Sequence, residues 1–196
     1  VKEVCINFNN QLLRGNRAQK VQSNKFDAFN SANYPVLAQS GIEIVYNDAF
    51  LYPGDESKKL AVLHGWSHEV VVIKIFPGMH QDVFATLLNN PNLKGVVLET
   101  FGSGNIMSQE WLLELLRMAV ERGVIIINVS QCMGGEAIQG KYKASEGLNK
   151  LGVLNGFDLT TEAALTKLMF TLGQEYSLNS AIEQMITPIS GEMTLR

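Results

Sequence analysis

The chain has 196 residues, 46% of them hydrophobic and 18% charged, and it carries a net charge of −3. This composition is typical of a globular protein with a hydrophobic core, and the length allows one domain or one domain with an appendage. The negative charge argues against nucleic acid as a partner, because nucleic-acid binders need a basic patch to displace counterions. No apolar run approaches the roughly 18–20 residues of a membrane span, so we expect no membrane partner either.

Cysteine usage and the first residues give two further expectations. Two cysteines, Cys5 and Cys132, are too few for a disulfide framework and favour a reducing compartment, so we expect a cytoplasmic protein. The chain begins inside a strand-like pattern without an initiator methionine. We therefore interpret it as a fragment of a longer protein.

The first 20 residues predict a β-hairpin followed by a loop. Val4–Phe8 and Gln11–Arg14 have the composition of strands. They flank Asn9-Asn10, two residues that tolerate the positive φ angles of a type I′ turn. Gly15–Lys20 then follows as a loop.

Between about residues 33 and 68 the pattern is weaker. Prolines and glycines recur, and 55–59 is a run of charged residues that is typical of a surface loop. Only Ile42–Tyr46 has the composition of a short strand. The sequence therefore predicts a linker or an arm here rather than part of a core.

From residue 70 onward, strands and helices alternate much more clearly. Three apolar runs have strand length: Val70–Phe76, Val96–Phe101 and Val124–Ser130. Apolar residues at helical spacing predict five helices. Three lie at Asp82–Leu88, at Ser145–Leu151 and around Ala181–Ile186, one begins after an N-cap at Ser108, and one begins after an N-cap at Asp158 or Thr160. The helix residues expected to be buried are Val83, Phe84, Leu87, Leu88, Trp111, Leu112, Leu115, Met118, Ala119, Leu165, Leu168, Met169, Leu172, Ala181, Ile182, Met185 and Ile186. Strands that are apolar on both faces and alternate with helices indicate an α/β fold with a parallel sheet covered on both sides.

The stretch Lys94–Asn105 is the most informative segment for function. An apolar strand runs through a loop with two glycines and an asparagine into a new helical pattern. In a parallel sheet, ligands sit outside such carboxyl ends of strands. Gly102 and Gly104 can take positive φ angles, and Asn105 offers both a donor and an acceptor. The spacing matches neither the dinucleotide fingerprint nor the phosphate loop, so a purely structural turn is the competing interpretation.

Other reactive side chains indicate little chemistry by themselves. His64, His68 and His80 have no cysteine or carboxylate at metal-ligand spacing, so we expect no metal site. Cys132 has no base nearby in sequence, and a free, buried or half-buried thiol is expected. Ser103 does not lie in a nucleophile elbow. These patterns alone indicate an α/β domain without a defined function.

Several segments taken together resemble the bacterial-type L-asparaginases, and among them the cytosolic type I branch. The segments that carry the resemblance are 4–17, Lys20, 26–29, Phe101-Gly102-Ser103-Gly104-Asn105, 128–135 and 161–168. They occur in the family's order and cover nearly the whole chain.

The resemblance implies a particular domain organisation. Members of this family have a larger N-terminal domain that holds the active site and a smaller C-terminal α/β domain. Residues 1–48 would be the end of the larger domain, 49–69 a linker, and 70–196 the smaller domain. The implied fold is a small parallel sheet with helices on both faces, preceded by a β-hairpin and linker from the larger α/β domain. The family's two threonine-bearing motifs do not occur here and are expected in a preceding portion of roughly 150 residues.

For function, the resemblance implies hydrolysis of L-asparagine to L-aspartate and ammonia through a covalent threonine acyl-enzyme, without a cofactor. Because this chain lacks the nucleophile motifs, it is expected to be inactive alone. The implied partners are L-asparagine and further copies of the same chain, in a dimer or tetramer with active sites near a subunit interface.

Three residues receive roles from the resemblance. Lys20 matches the family lysine that pairs with a threonine–aspartate couple and helps remove the threonine's hydroxyl proton, which makes it catalytic. A lysine does this only when desolvation or a neighbouring charge lowers its pKa. Gly104 and Asn105 match the substrate-binding loop that one subunit presents to its neighbour's active site. There the asparagine helps to hold the substrate's α-amino or carboxylate end.

Two positions depart from some cytosolic members of the family. Gln19 stands where those members have a threonine, and Glu99 stands where they have a basic residue. Because both lie in the region used for regulation by asparagine, we predict no such regulation here. The cross-subunit acid of periplasmic relatives has two possible matches, Glu136 and Glu146, and neither is assigned.

Two other functions stay open at this point. One is the related subunit that releases ammonia for tRNA-dependent amidation, although the acidic charge counts against a tRNA-binding partner. The other is a non-catalytic α/β module that binds a ligand or mediates oligomerisation. This last hypothesis predicts that Lys20→Ala and Asn105→Ala in the complete protein leave activity unchanged.

Overall fold

The structure is a computed structural model that describes residues 1–54, 57, 59, 61–139 and 143–195, with the backbone alone at 143–146. The predicted charge run at 55–59 therefore lies outside the described residues, apart from Ser57 and Lys59. Among the described helices, none is long and apolar enough to cross a membrane.

The N-terminal segment begins with the predicted hairpin. Strands β1 (Cys5–Phe8) and β2 (Gln11–Arg14) pair antiparallel. The turn residues Asn9 and Asn10 have φ angles of 47° and 59°, as a type I′ turn requires, so the hairpin prediction is confirmed. A 3₁₀ turn at Gly15–Arg17 then leads the chain away from this sheet.

Two further pieces of sheet complete the N-terminal segment. Strand β3 (Gln19–Lys20) pairs antiparallel with β4 (Phe29–Asn30) in a separate two-stranded ribbon. Strands β5 (Ala38–Ser40) and β6 (Ile44–Tyr46) extend the hairpin to a sheet of order β1-β2-β5-β6. The short strand predicted at Ile42–Tyr46 is confirmed as β6, whereas β5 was not predicted and lies in a stretch that we expected to be a linker or an arm. A strand of three residues is too short to show a two-residue periodicity. Pairing with β2 stabilises β5 instead, and β6 pairs in turn with β5.

The second sheet is fully parallel and has the order β10-β9-β8-β7. Its strands are β7 (Val70–Lys74), β8 (Gly95–Thr100), β9 (Ile125–Ser130) and β10 (Leu154–Asn155). The first three were predicted, whereas the two-residue edge strand β10 was not. Val97 in the middle of β8 lies level with Val72 on one side and Ile127 on the other.

Helices cover both faces of the parallel sheet, which confirms the predicted fold class. The described helices are α1 (Gln81–Leu88), α2 (Glu110–Glu121), α3 (Lys143–Lys150), α4 (Thr161–Leu172) and α5 (Leu178–Ile186). Alternate residues of β8 point to opposite faces. Val96 and Leu98 pack in one core with α1 and α2, while Val97 packs in a second core with α4 and α5.

Some helix details differ from the prediction. Helix α2 begins at Glu110 with Gln109 as its N-cap, one residue later than predicted, and no side chain caps it. Val83, Leu87, Met118 and Ile186 are exposed rather than buried. An eight-residue helix such as α1 needs only one narrow stripe to contact the sheet, so apolar residues beside that stripe remain in solvent.

Helix α4 buries a face that agrees only in part with the prediction, since Leu168 is buried as expected. The residues Leu165, Met169 and Leu172 are only half-buried. The buried face consists of Ala163, Ala164, Lys167, Leu168 and Thr171. Small residues on this face let the helix lie close to the sheet. Of the two candidate caps, Thr160 is the N-cap, since its Oγ1 accepts a hydrogen bond from the backbone N–H of Ala163 at 3.1 Å.

Candidate active site at the carboxyl edge of the parallel sheet

The loop after β8 is a closed turn that presents Asn105. Phe101 and Asn105 donate a backbone hydrogen bond to each other, both at 2.9 Å, so the loop ends are joined. Gly102 and Gly104 have φ angles of 50° and 98°, which confirms the predicted need for glycine. A Cβ at Gly104 would also lie only 3.1 Å from the side-chain nitrogen of Asn128. The loop therefore has one tight conformation rather than a flexible tip.

A buried polar pair beneath the loop holds Gly104 in place. The side chains of Thr100 and Asn128 are fully buried. Thr100 Oγ1 donates to Asn128 Oδ1 at 2.6 Å, and Asn128 Nδ2 donates to the carbonyl of Gly104 at 3.3 Å. Buried polar groups bonded in this way fix a unique geometry, because any other arrangement leaves one of them without a partner.

The tip of the loop is fastened by two more hydrogen bonds. Ser130 Oγ, at the end of β9, donates to the carbonyl of Gly102 at 2.6 Å. The backbone N–H of Ile138 donates to the carbonyl of Ser103 at 2.8 Å. Our interpretation of the sequence missed Asn128 and Ser130. The available signal was a polar residue inside or at the end of an otherwise apolar strand.

The side chain of Asn105 carries an available hydrogen-bond acceptor. Its Oδ1 atom is buried, and no donor among the described residues reaches it. A buried carbonyl oxygen without a donor is unfavourable by about 1–3 kcal/mol, so it favours a ligand that supplies an N–H or O–H group. The predicted Asn105 thus lies in the closed loop after β8, with a buried amide oxygen that no described donor satisfies.

Lys20 lies on the two-stranded ribbon, opposite Phe29. Its Nζ is 6.0 Å from the centroid of the Phe29 ring, and the side chain is exposed. No carboxylate in the described part of the chain forms an ion pair with it. Lys20 and Lys25 also line an open hollow of about 430 Å³. Among the described residues, Lys20 is thus an exposed side chain beside one aromatic ring.

The first turn of α4 connects the ribbon to β8. Gln19, next to Lys20, donates to Glu162 Oε2 at 2.8 Å. Thr161 Oγ1 donates to Glu99 Oε1 at 2.5 Å, and Glu99 also pairs with Lys74 at 3.6 Å. No described contact joins Lys20 directly to Asn105. Instead, the strand that carries Lys20 and the strand that leads to Asn105 both contact the first turn of α4.

The remaining candidates have other roles. Cys132 is a free cysteine, but its side chain is exposed, so the prediction of a buried or half-buried thiol is wrong. The turn after β9 directs it outward, with its backbone N–H bonded to Ser130 Oγ at 3.0 Å. His80 Nδ1 caps α1 by accepting from the N–H of Asp82. Within the residues described, no group of three His, Cys, Asp or Glu side chains could hold a metal ion.

Known proteins match this chain along almost its whole length. Residues 69–185 match the Glutaminase/Asparaginase C-terminal domain, and residues 1–51 match the N-terminal asparaginase family. L-asparaginase 1 of Escherichia coli K12 is 35% identical over 195 residues, which are 99% of this chain and 57% of that protein. The human 60 kDa lysophospholipase is 42% identical over 195 residues, which are 99% of this chain and 34% of that protein.

A solved structure agrees with these sequence matches. The crystal structure of L-asparaginase I from Vibrio cholerae O1 biovar eltor str. N16961 has a TM-score of 0.92 and 37% identity, covering 100% of this chain and 58% of that one. The chain therefore spans 34% to 58% of the length of these relatives. The resemblance inferred from the sequence is confirmed: the chain belongs to the glutaminase/asparaginase family.

Proposed function

We propose that this chain is part of an L-asparaginase that hydrolyses L-asparagine to L-aspartate and ammonia. The observation that carries the proposal is the buried, unpartnered Oδ1 of Asn105 on a loop fixed through Gly104. The α-ammonium group of an amino acid is a donor that fits such an acceptor. A rigid loop also suits substrate positioning, because little entropy is lost when the ligand binds.

In this proposal Lys20 acts on a nucleophilic threonine that lies outside the 196 residues of this chain. As a neutral amine, Lys20 takes the hydroxyl proton while the threonine oxygen bonds to the carboxamide carbon. Protonated Lys20 returns this proton to the leaving nitrogen, so that ammonia departs. Water then hydrolyses the ester: its hydroxyl group completes the carboxyl group of aspartate, and its proton restores the threonine hydroxyl group. Lys20 is exposed in this chain. We therefore propose that a preceding segment with the nucleophile and an acid covers it and supplies the charge.

The same proposal includes an organisation and a location. Residues 1–48 complete a larger domain, 49–69 form a linker, and 70–196 form the smaller domain. The 196-residue chain alone is inactive, and the complete protein is a homo-oligomer in which the Asn105 loop reaches the active site of a neighbouring subunit. The free thiols of Cys5 and Cys132 support a cytoplasmic location.

Ammonia release from L-asparagine tests this function in the complete protein and in the 196-residue chain. We expect activity only in the complete protein, a loss of at least about a hundredfold in kcat for Lys20→Met, and a mainly raised KM for Asn105→Ala. Lys94→Met and Asn92→Ala, at the opposite end of β8, serve as matched controls and should leave the rate unchanged. Equal activity in Lys20→Met and Lys94→Met would refute the role of Lys20.

Other substrates distinguish the remaining hypotheses. L-glutamine is assayed beside L-asparagine, since ammonia from glutamine alone would favour the amidotransferase-subunit hypothesis. A lysophospholipid is also assayed, because the human relative is named a lysophospholipase. If no substrate reacts, the binding or oligomerisation module becomes the better explanation.

A further inference from the structure

We propose that the segment Asp158–Glu162, here called the α4 corner, positions Lys20 for proton transfer. In this assignment Asp158 and Glu162 are positioning residues, and they act through Arg17 and Gln19. The inference rests on the proposed function, since it takes Lys20 as the group that receives the threonine's proton.

The ribbon that carries Lys20 cannot fix the position of this residue by itself. Strands β3 and β4 have two residues each, and their register pairs Gln19 with Asn30 and Lys20 with Phe29. Even a complete two-stranded hairpin is only marginally stable in water. Contacts outside the ribbon must therefore hold β3 in place.

The first such contact is a buried ion pair three residues before Lys20. Arg17 is 1% exposed, and its Nη1 lies 2.8 Å from Asp158 Oδ2. The other guanidinium nitrogens donate to the carbonyl of Gly191 at 2.8 Å and to Thr194 Oγ1 at 3.0 Å. Asp158 is held in turn, because its Oδ1 accepts from the backbone N–H of Thr194 at 2.8 Å. The chain entering β3 is thus fixed to the α4 corner through Asp158 and to the C-terminal segment through Gly191 and Thr194.

The second contact lies immediately beside Lys20. Gln19 Nε2 donates to Glu162 Oε2 at 2.8 Å. Successive side chains of a strand point to opposite faces. Because Gln19 faces α4, the side chain of Lys20 is directed away from α4. The Gln19–Glu162 hydrogen bond therefore fixes both the direction in which the Lys20 side chain points and the position of β3 relative to α4.

The α4 corner also contacts the strand that leads to the Asn105 loop. Thr161 Oγ1 donates to Glu99 Oε1 at 2.5 Å, and Glu99 is the penultimate residue of β8. One rigid turn thus holds both the segment that carries Lys20 and the segment that carries Asn105. Catalytic groups have to be kept within about 0.5 Å of their productive geometry, which a short ribbon cannot achieve alone.

Three substitutions in the complete protein test the inference. Glu162→Ala removes the acceptor for Gln19, and we expect kcat to fall about three- to tenfold with KM unchanged. Glu162→Gln keeps an acceptor oxygen at the same position and should restore most of the wild-type kcat. Asp158→Asn should lower kcat more strongly, because a displacement of about 1 Å at a catalytic group costs on the order of a hundredfold.

The controls separate this inference from the function on which it rests. Glu183→Ala removes an exposed carboxylate from α5 and should leave both kcat and KM unchanged. If Lys20→Met abolishes activity while Glu162→Ala equals Glu183→Ala, the function stands and the positioning role is refuted. A fall in kcat that Glu162→Gln does not restore also contradicts positioning by a hydrogen bond. If the wild-type protein releases no ammonia, both the function and the inference fail.

Discussion

Replacing Lys167 with methionine removes the positive half of a buried ion pair that joins α4 to the C-terminal segment. The two side chains are 3% and 6% exposed, and Lys167 Nζ lies 2.6 Å from Glu192 Oε1. The ammonium group also donates to the carbonyl of Thr187 at 2.6 Å. Glu192 accepts further hydrogen bonds from the backbone N–H groups of Ile189 and Ser190. Lys167→Met therefore leaves a carboxylate buried without its counter-charge.

The size of the effect follows from these contacts. Removing one partner of a buried pair costs about 3–5 kcal/mol, and the two backbone donors that remain on Glu192 favour the lower limit. Methionine has nearly the length of the lysine stem, so little packing is lost. We expect the free energy of unfolding to fall by about 3 kcal/mol. For a chain of this size, that corresponds to a decrease in Tm of roughly 6–12 °C.

Thermal and urea unfolding, followed by circular dichroism, measure this loss. Lys94→Met is the matched control, because Lys94 forms an ion pair with Glu69 at 2.5 Å in which both side chains are about half exposed. Exposed pairs contribute less than about 1 kcal/mol. If both variants lose the same stability, or if Lys167→Met loses less than about 1 kcal/mol, then burial does not make the Lys167–Glu192 pair more stabilising than an exposed pair.

The pH dependence gives a second check on the same pair. Burial by itself raises the pKa of Glu192, but hydrogen bonds from Lys167, Ile189 and Ser190 more than offset this and hold it below its ordinary value of 4.5. A carboxyl group whose pKa is lower in the folded state stabilises the fold above its unfolded pKa, and this contribution is lost on acidification. Wild-type stability should thus fall as the pH drops below about 4.5. The difference in the free energy of unfolding between the wild type and Lys167→Met should become smaller over the same pH range.

Two further substitutions test the packing and the loop. In Gly95→Ala the new Cβ would lie 2.8 Å from Leu168 Cδ2 of α4, so we expect the free energy of unfolding in urea to fall by about 1–3 kcal/mol. In Gly134→Ala no atom of the described residues lies closer to the new Cβ than 3.7 Å, so this variant should be nearly neutral. Thr100→Val leaves the buried Asn128 Oδ1 without its donor, so we expect the free energy of unfolding to fall by about 1–3 kcal/mol. If amide hydrogen exchange in the loop after β8 stays unchanged in this variant, the Thr100–Asn128 pair does not hold the loop in place.

The elements that the sequence determined by itself have local signals. Asn9-Asn10 favours one turn type, and that turn determines the hairpin around it. The three long strands of the parallel sheet are apolar on both faces, which only a sheet covered on both sides explains. The loop at Gly102–Asn105 was also located from local residues, because its φ angles require glycine. The family resemblance then selected Lys20, whose neighbours in sequence show no sign of catalysis.

Only the tertiary structure decided the partners of the polar residues. Asp158 was one of two candidate helix caps, but it forms an ion pair with Arg17, far away in sequence. Lys167 looks like a surface lysine in a helical pattern, and it is buried because Glu192 meets it there. Burying a charge is unfavourable unless a partner compensates it. Since that partner comes from a distant part of the chain, such burial cannot be inferred from local sequence and is decided only when the chain packs.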